Sequence, residues 1–194
     1  MLYYRRHLPH WIPDNKVIFV TWRLAGSAPP CVPPILTAEN TGRIPFATDD
    51  KVVDCSRTGP FWLRDPRIAG IVENALQYGE TARGFYSLYA WTIMPNHVHA
   101  VFEPKGTLPD VMRWLKGRTA RLANRILGRT GLPFWQVESY DHWIRSNQEL
   151  REIVAYVGNN PVNAGLVESA EQWLWSSARF KADDIKRSSA LQRH

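Results

Sequence analysis

Cysteine is scarce. Cys31 and Cys55 are the only two, and no CxxC spacing exists. Two thiols make neither a disulfide framework nor a four-cysteine metal site. Long apolar runs are missing as well: no stretch of about 18 apolar residues appears, so nothing reads as a membrane span. The opening MLYYRRHLPHW lacks the apolar core of a signal peptide. The expected setting is therefore a reducing cytoplasm, with no membrane partner. Acidic residues are the minority, 18 Asp and Glu against 24 Lys and Arg, for a net charge of +6. No internal repeat is visible.

Aromatic rings and positive charge are plentiful instead. Nine Trp and seven Tyr in 194 residues suit a nucleic-acid partner, because Lys and Arg neutralise phosphates and rings stack on bases. Composition alone does not separate this from a basic protein that binds nothing charged. Apolar residues make up 44%, enough for a core. The length favours a single domain over 1–194. It carries a Pro-rich insertion at about 25–60 and a polar tail from about 180.

KVIFVTWRL (16–24) reads as a strand, being β-branched and aromatic. DPRIAGIVENALQYGE opens with Asp65 as N-cap and Pro66 at the first helical position. Ile68, Ile71, Val72, Ala75 and Leu76 give it one apolar stripe, and Gly79 is its expected end. GFYSLYAWTIM (84–94) and HVHAVFEP are strands joined at Pro95-Asn96, a hairpin signal. A helix follows at roughly 109–127, with Val111, Leu115, Leu122 and Ile126 as its stripe. FWQVESYDHWIRS (134–146) supplies a fourth strand, and NQELREIVAYVGNNP a last helix. The order βαββαβ predicts an α+β, ferredoxin-like (RRM-like) sandwich: an antiparallel sheet with helices on one face, the other face open, plus a C-terminal helix.

In a strand, residues i and i+2 point the same way. His97 and His99 would thus share a face with Val101 and Glu103, while Val98, Ala100 and Phe102 face the core. Two imidazoles at that spacing can ligate one cation; two surface histidines in a hairpin are the alternative. On the last helix Tyr156 and Asn160 lie one turn apart. Pro161 disfavours the α conformation at Asn160, so the helix is expected to end there and that spacing to loosen. Arg113, Lys116, Arg118, Arg121 and Arg125 are candidate phosphate contacts, or a solvated helix face. Arg118 stands out because it falls on the apolar stripe. Trp91, Trp114, Trp135 and Trp143 read more readily as core than as base-stacking rings. Asp141 and His142 read equally as neighbours of the site or as a strand-end pair.

MPNHVHAVFEP, followed by YVGNNPVNAGLV and WLWSS, resembles the single-tyrosine HUH transposases. The nearest likeness is to the REP-associated tyrosine transposases and their IS200-like relatives. VTWRL and FWQVESYDHWIRS also look like segments of that family. The resemblance covers most of 16–180 and leaves out the insertion. It implies that His97, His99 and Asn160 bind Mg²⁺ or Mn²⁺ and that Tyr156 is the nucleophile. The implied activity is metal-dependent nicking and strand transfer of single-stranded or hairpin DNA through a 5′-phosphotyrosine intermediate, by a monomer or homodimer. Two other readings stand beside it: a non-catalytic protein that binds repeat hairpins, and a hydrolase that uses a metal-bound water.

Overall fold

The computed structural model describes residues 16–27 and 59–180, and the backbone of 2–5 and 9–12. Most of the Pro-rich insertion with both cysteines, the side chains of Arg5, Arg6 and His7, and the tail from 181 lie outside the described residues. A two-stranded antiparallel ribbon pairs β1 (Leu2–Arg5) with β2 (Pro9–Ile12). The main sheet follows with β3 (Ile18–Arg23), β4 (Tyr86–Ile93), β5 (His97–Pro104) and β6 (Tyr140–Trp143). Its strand order is β4-β5-β3-β6, antiparallel throughout. The helices are α1 (Pro66–Thr81), α2 (Leu108–Ile126) and α3 (Asn147–Asn163). The expected ferredoxin-like sandwich is present.

Alternation along the strands sorts side chains onto two faces. Val20, Trp22, Val98, Ala100 and Phe102 meet α1 and α2 in one apolar cluster. The face expected to be open carries α3, which lays Leu150, Ile153 and Val157 on Phe19, Ala90 and Val101. An α3 stripe of Leu, Ile and Val needs an apolar partner, and each such side chain fully buried contributes about 1.5–3 kcal/mol. Both faces of β5 are therefore buried, where only one was anticipated.

Helix α1 begins where expected, with the Asp65 carboxylate accepting from the Arg67 N–H at 2.9 Å. It does not end at Gly79 but runs on to Thr81. Gly79 serves packing instead: a Cβ there would lie 2.2 Å from the Tyr86 hydroxyl and 3.0 Å from the Trp114 ring. The turn out of the helix is made by Gly84, at φ +61°. Gly79→Ala must displace Tyr86, whose buried hydroxyl donates to the Leu76 carbonyl at 2.8 Å. We expect a loss of about 2–3 kcal/mol, read as a lower urea midpoint at unchanged slope, despite the helix propensity gained. A midpoint equal to or above that of the parent would contradict this packing.

The fourth strand is shorter than anticipated. Tyr140–Trp143 pair with β3 as a ladder, while Trp135 makes an isolated antiparallel bridge to Leu24 and the Gln136 N–H donates to the Arg23 carbonyl at 2.8 Å. Between the two, the carbonyls of Gln136, Val137 and Glu138 each accept from the Lys116 ammonium at 3.1 Å. Beyond α3, residues 173–177 run along the outer edge of β4. The Ile93 N–H donates to the Trp175 carbonyl at 2.8 Å, and the Trp173 indole N–H to the Ile93 carbonyl at 3.0 Å. Ser177 Oγ accepts from the Trp91 N–H at 3.0 Å. The two residues after it touch the helices: a Cβ on Gly158 of α3 would be 3.3 Å from that of Ala178, and Arg179 pairs with Glu73 of α1 at 2.8 Å.

Candidate metal and nucleophile site

The register of β3, β5 and β4 builds one polar row across the sheet. Thr21 stands opposite His99, and His99 opposite Thr92. Directly opposed residues share a face, so all three point toward α3. One step along, Arg23 stands opposite His97. Both histidines are fully buried, and their Nε2 atoms face each other at 2.9 Å. The outer nitrogens are held: His97 Nδ1 lies 2.7 Å from Asn96 Oδ1, and His99 Nδ1 lies 2.7 Å from Thr21 Oγ1. Burial, reinforced by the neighbouring His99 and Arg23, holds the His97 imidazole well below its ordinary pKa, so it is neutral.

Helix α3 brings the remaining groups. Phe19 stacks on His99 with ring centroids 5.6 Å apart, and Tyr156 meets the same two rings edge-on, at 6.2 Å from Phe19 and 6.0 Å from His99. Asn160 donates from Nδ2 to the Tyr156 hydroxyl at 3.4 Å. The helix does not stop at Asn160; it continues to Asn163 with Pro161 inside it. A proline lacks one N–H and so removes a single intrahelical bond. The next turn still closes, with the Ala164 N–H donating to the Asn160 carbonyl at 3.0 Å. The one-turn spacing of Tyr156 and Asn160 is therefore kept rather than loosened.

Two buried oxygens near this row have no hydrogen-bond partner: Asn160 Oδ1 and Thr92 Oγ1. A buried acceptor left so costs about 1–3 kcal/mol, which marks a place for a ligand. Two nitrogen ligands at right angles on one divalent cation sit roughly 3 Å apart, and the Nε2 pair has that spacing. Among the described residues no three His, Cys, Asp or Glu gather, so the candidate for a third ligand is the partnerless amide oxygen of Asn160. The donor set of His97, His99 and Asn160 thus fits a divalent ion, and as neutral groups they leave it positive toward an anion.

The candidate DNA contacts lie elsewhere. Helix α2 packs on the other face of the sheet, so the sheet stands between its charges and the imidazoles. Arg113 pairs with Asp110 at 2.6 Å, Lys116 is committed to its three carbonyls, and Arg121 and Arg125 are exposed. Arg118 lies over the rings of Tyr78 and Trp114, at 5.2 and 5.9 Å, which explains a cation on an apolar stripe. Trp91 and Trp135 are buried, Trp114 packs against Phe85, and Trp143 lies under Arg145. His142 pairs with Glu149 at 2.7 Å and so ties β6 to the first turn of α3. Sequence reasoning missed Thr21, Thr92, Asn96 and Arg23. Asn96 was readable only as a turn former, and the other three depend on a register that one strand alone does not reveal.

The buried imidazole of His97 makes stability depend on pH. Below about 6.5 the unfolded chain takes up a proton that folded His97 refuses, so stability falls as pH falls, by up to about 1.4 kcal/mol per unit. Urea unfolding at pH 5 and 7 measures this, and His97→Gln should flatten the difference. An unchanged pH dependence in that variant would show that His97 carries no part of it.

Among the described residues no helix is long and apolar enough to cross a membrane. The family model described as IS200-like transposase matches residues 70–160. Among solved structures, one of a REP-associated tyrosine transposase bound to a REP hairpin is similar in fold, with a TM-score of 0.58 and 19% identity. That match covers 96% of this chain and 87% of the other. A second, a candidate transposase from Deinococcus radiodurans R1, is 18% identical over 80% of this chain and 98% of that one, at a TM-score of 0.37. No curated protein matches the chain. The matched segment holds both histidines, all of α2, Tyr156 and Asn160, and over residues 70–160 the chain is similar to the IS200-like transposases.

Proposed function

We propose that the chain is a metal-dependent enzyme that nicks single-stranded or hairpin DNA and transfers the strand through a 5′-phosphotyrosine intermediate. One observation carries this reading: Tyr156 and Asn160 reach across from α3 to the same side of the sheet as the imidazole pair, with the Tyr156 ring 6.0 Å from His99. The likeness to a hairpin-bound REP-associated enzyme supports a hairpin substrate.

His97, His99 and Asn160 would hold Mg²⁺ or Mn²⁺, with nitrogen ligands making Mn²⁺ at least as good a fit. When bound, the ion polarises the non-bridging phosphate oxygens and offsets charge in the transition state. The Tyr156 oxygen attacks phosphorus, the P–O3′ bond breaks, and the tyrosine's proton ends on the released 3′-hydroxyl or in solvent. One phosphodiester replaces another, so a second 3′-hydroxyl can reverse the step. Asn160, donating to the Tyr156 hydroxyl at 3.4 Å, aims it and favours its ionised form. Arg23, on the same face as His97, adds a fixed positive charge for the incoming phosphate. Arg113, Arg118, Arg121 and Arg125 would touch DNA only away from the cleavage point, where a hairpin wraps the edge of the sheet; Lys116, engaged by its three carbonyls, is not counted among them.

Incubation with single-stranded hairpin DNA and Mn²⁺, followed by a denaturing gel, tests this. A covalent protein–DNA species should form and disappear with a chelator. Hairpin binding with no such species over a broad set of hairpins would leave a DNA-binding protein and end the enzymatic reading.

A further inference from the structure

Four side chains form a hydrogen-bonded row whose proton positions can be read from its ends. Thr21 Oγ1 lies 2.7 Å from His99 Nδ1, His99 Nε2 lies 2.9 Å from His97 Nε2, and His97 Nδ1 lies 2.7 Å from Asn96 Oδ1. All four residues are at most 4% exposed. An amide oxygen only accepts, so His97 must donate from Nδ1. A neutral imidazole carries one proton, so His97 Nε2 accepts. His99 then donates from Nε2, and its Nδ1 accepts from the Thr21 hydroxyl. The row runs in one direction, from Thr21 to Asn96.

We propose that Thr21 is a positioning residue that lets His99 change tautomer, so that the imidazole pair can open to a divalent cation. This rests on the metal site of the preceding section. In the row as it stands His97 already presents its Nε2 lone pair, while His99 does not. For both Nε2 atoms to face one cation, the His99 proton must leave Nε2 and a proton must be placed on Nδ1. No proton is gained or lost overall. The Nδ1–H then needs an acceptor, and Thr21 Oγ1 is 2.7 Å away. A hydroxyl can donate in one state and accept in the other by rotating its hydrogen. Asn96 cannot, and it fixes His97 in one tautomer throughout. The two imidazoles therefore have different tasks: His97 is a preset ligand, and His99 a switchable one. The partner that orients a ligating histidine is worth 10–100-fold in affinity in known sites.

The metal-free protein settles the first half. Two-bond ¹⁵N–¹H correlation spectra of the imidazoles should show His97 protonated at Nδ1 and His99 at Nε2. His99 protonated at Nδ1 in that state, or His97 at Nε2, would overturn the assigned row. Titration calorimetry with Mn²⁺ settles the second half. Thr21→Val is near-isosteric in a strand and should bind Mn²⁺ 10–100-fold more weakly, while Thr21→Ser should stay within about threefold of the parent. Equal affinity in Thr21→Val would overturn the role given to Thr21 and leave the metal site standing. A parent protein that binds no Mn²⁺ would overturn the switch and the metal reading together, a result distinct from the first.

Discussion

Tyr156→Phe is expected to lose the covalent protein–DNA species altogether, with cleavage falling by a factor on the order of 10⁴ or more. The substitution removes one oxygen and little else. The ring keeps its edge-on contacts with Phe19 and His99. Its bond from Asn160 is a long one, 3.4 Å, and losing one such bond costs about 1 kcal/mol or less. Hairpin affinity should stay within about threefold, because the proposed place of the hydroxyl is at the scissile phosphate and not on the duplex. Denaturing gels for the adduct, and filter binding for affinity, separate the two effects. Cleavage that survives in the variant would replace the tyrosine by a water nucleophile and make the protein a metallohydrolase.

Removing the imidazoles should be comparably damaging by a different route. In His97→Ala combined with His99→Ala, two of the three proposed ligands are gone, and Mn²⁺ should no longer raise the rate. Loss of several kcal/mol of charge stabilisation corresponds to roughly 10³-fold or more. Both rings are buried, so the variant also loses packing; circular dichroism and hairpin binding serve as the check that it is folded. A variant that still nicks DNA in a Mn²⁺-dependent manner would move the metal elsewhere.

Much of this site was legible in the chain. The i, i+2 spacing of His97 and His99 needs only a strand to bring the rings together, and the Pro95-Asn96 turn announced where that strand starts. Tyr156 and Asn160 needed only a helix. What the chain hid was long-range. The face that carries α3 looked open because the alternation in β5 does not say which apolar helix returns to cover the second side. Lys116 read as a free charge because its three carbonyl partners lie 20–22 residues on. Gly79 read as a helix stop because its true neighbour, Tyr86, belongs to the next strand. Local signals fixed element types, and tertiary contacts decided boundaries and roles.

The segment at 173–177 bears on how the protein can be cut. It hydrogen-bonds to the outer edge of β4, and the adjoining Ala178 rests on α3 at Gly158. A chain truncated at residue 172 would bare unpaired N–H and C=O groups along an apolar strand, a template for adding a foreign strand. Such a truncation would be read as aggregation or sheet-mediated self-association before any effect on DNA could be measured.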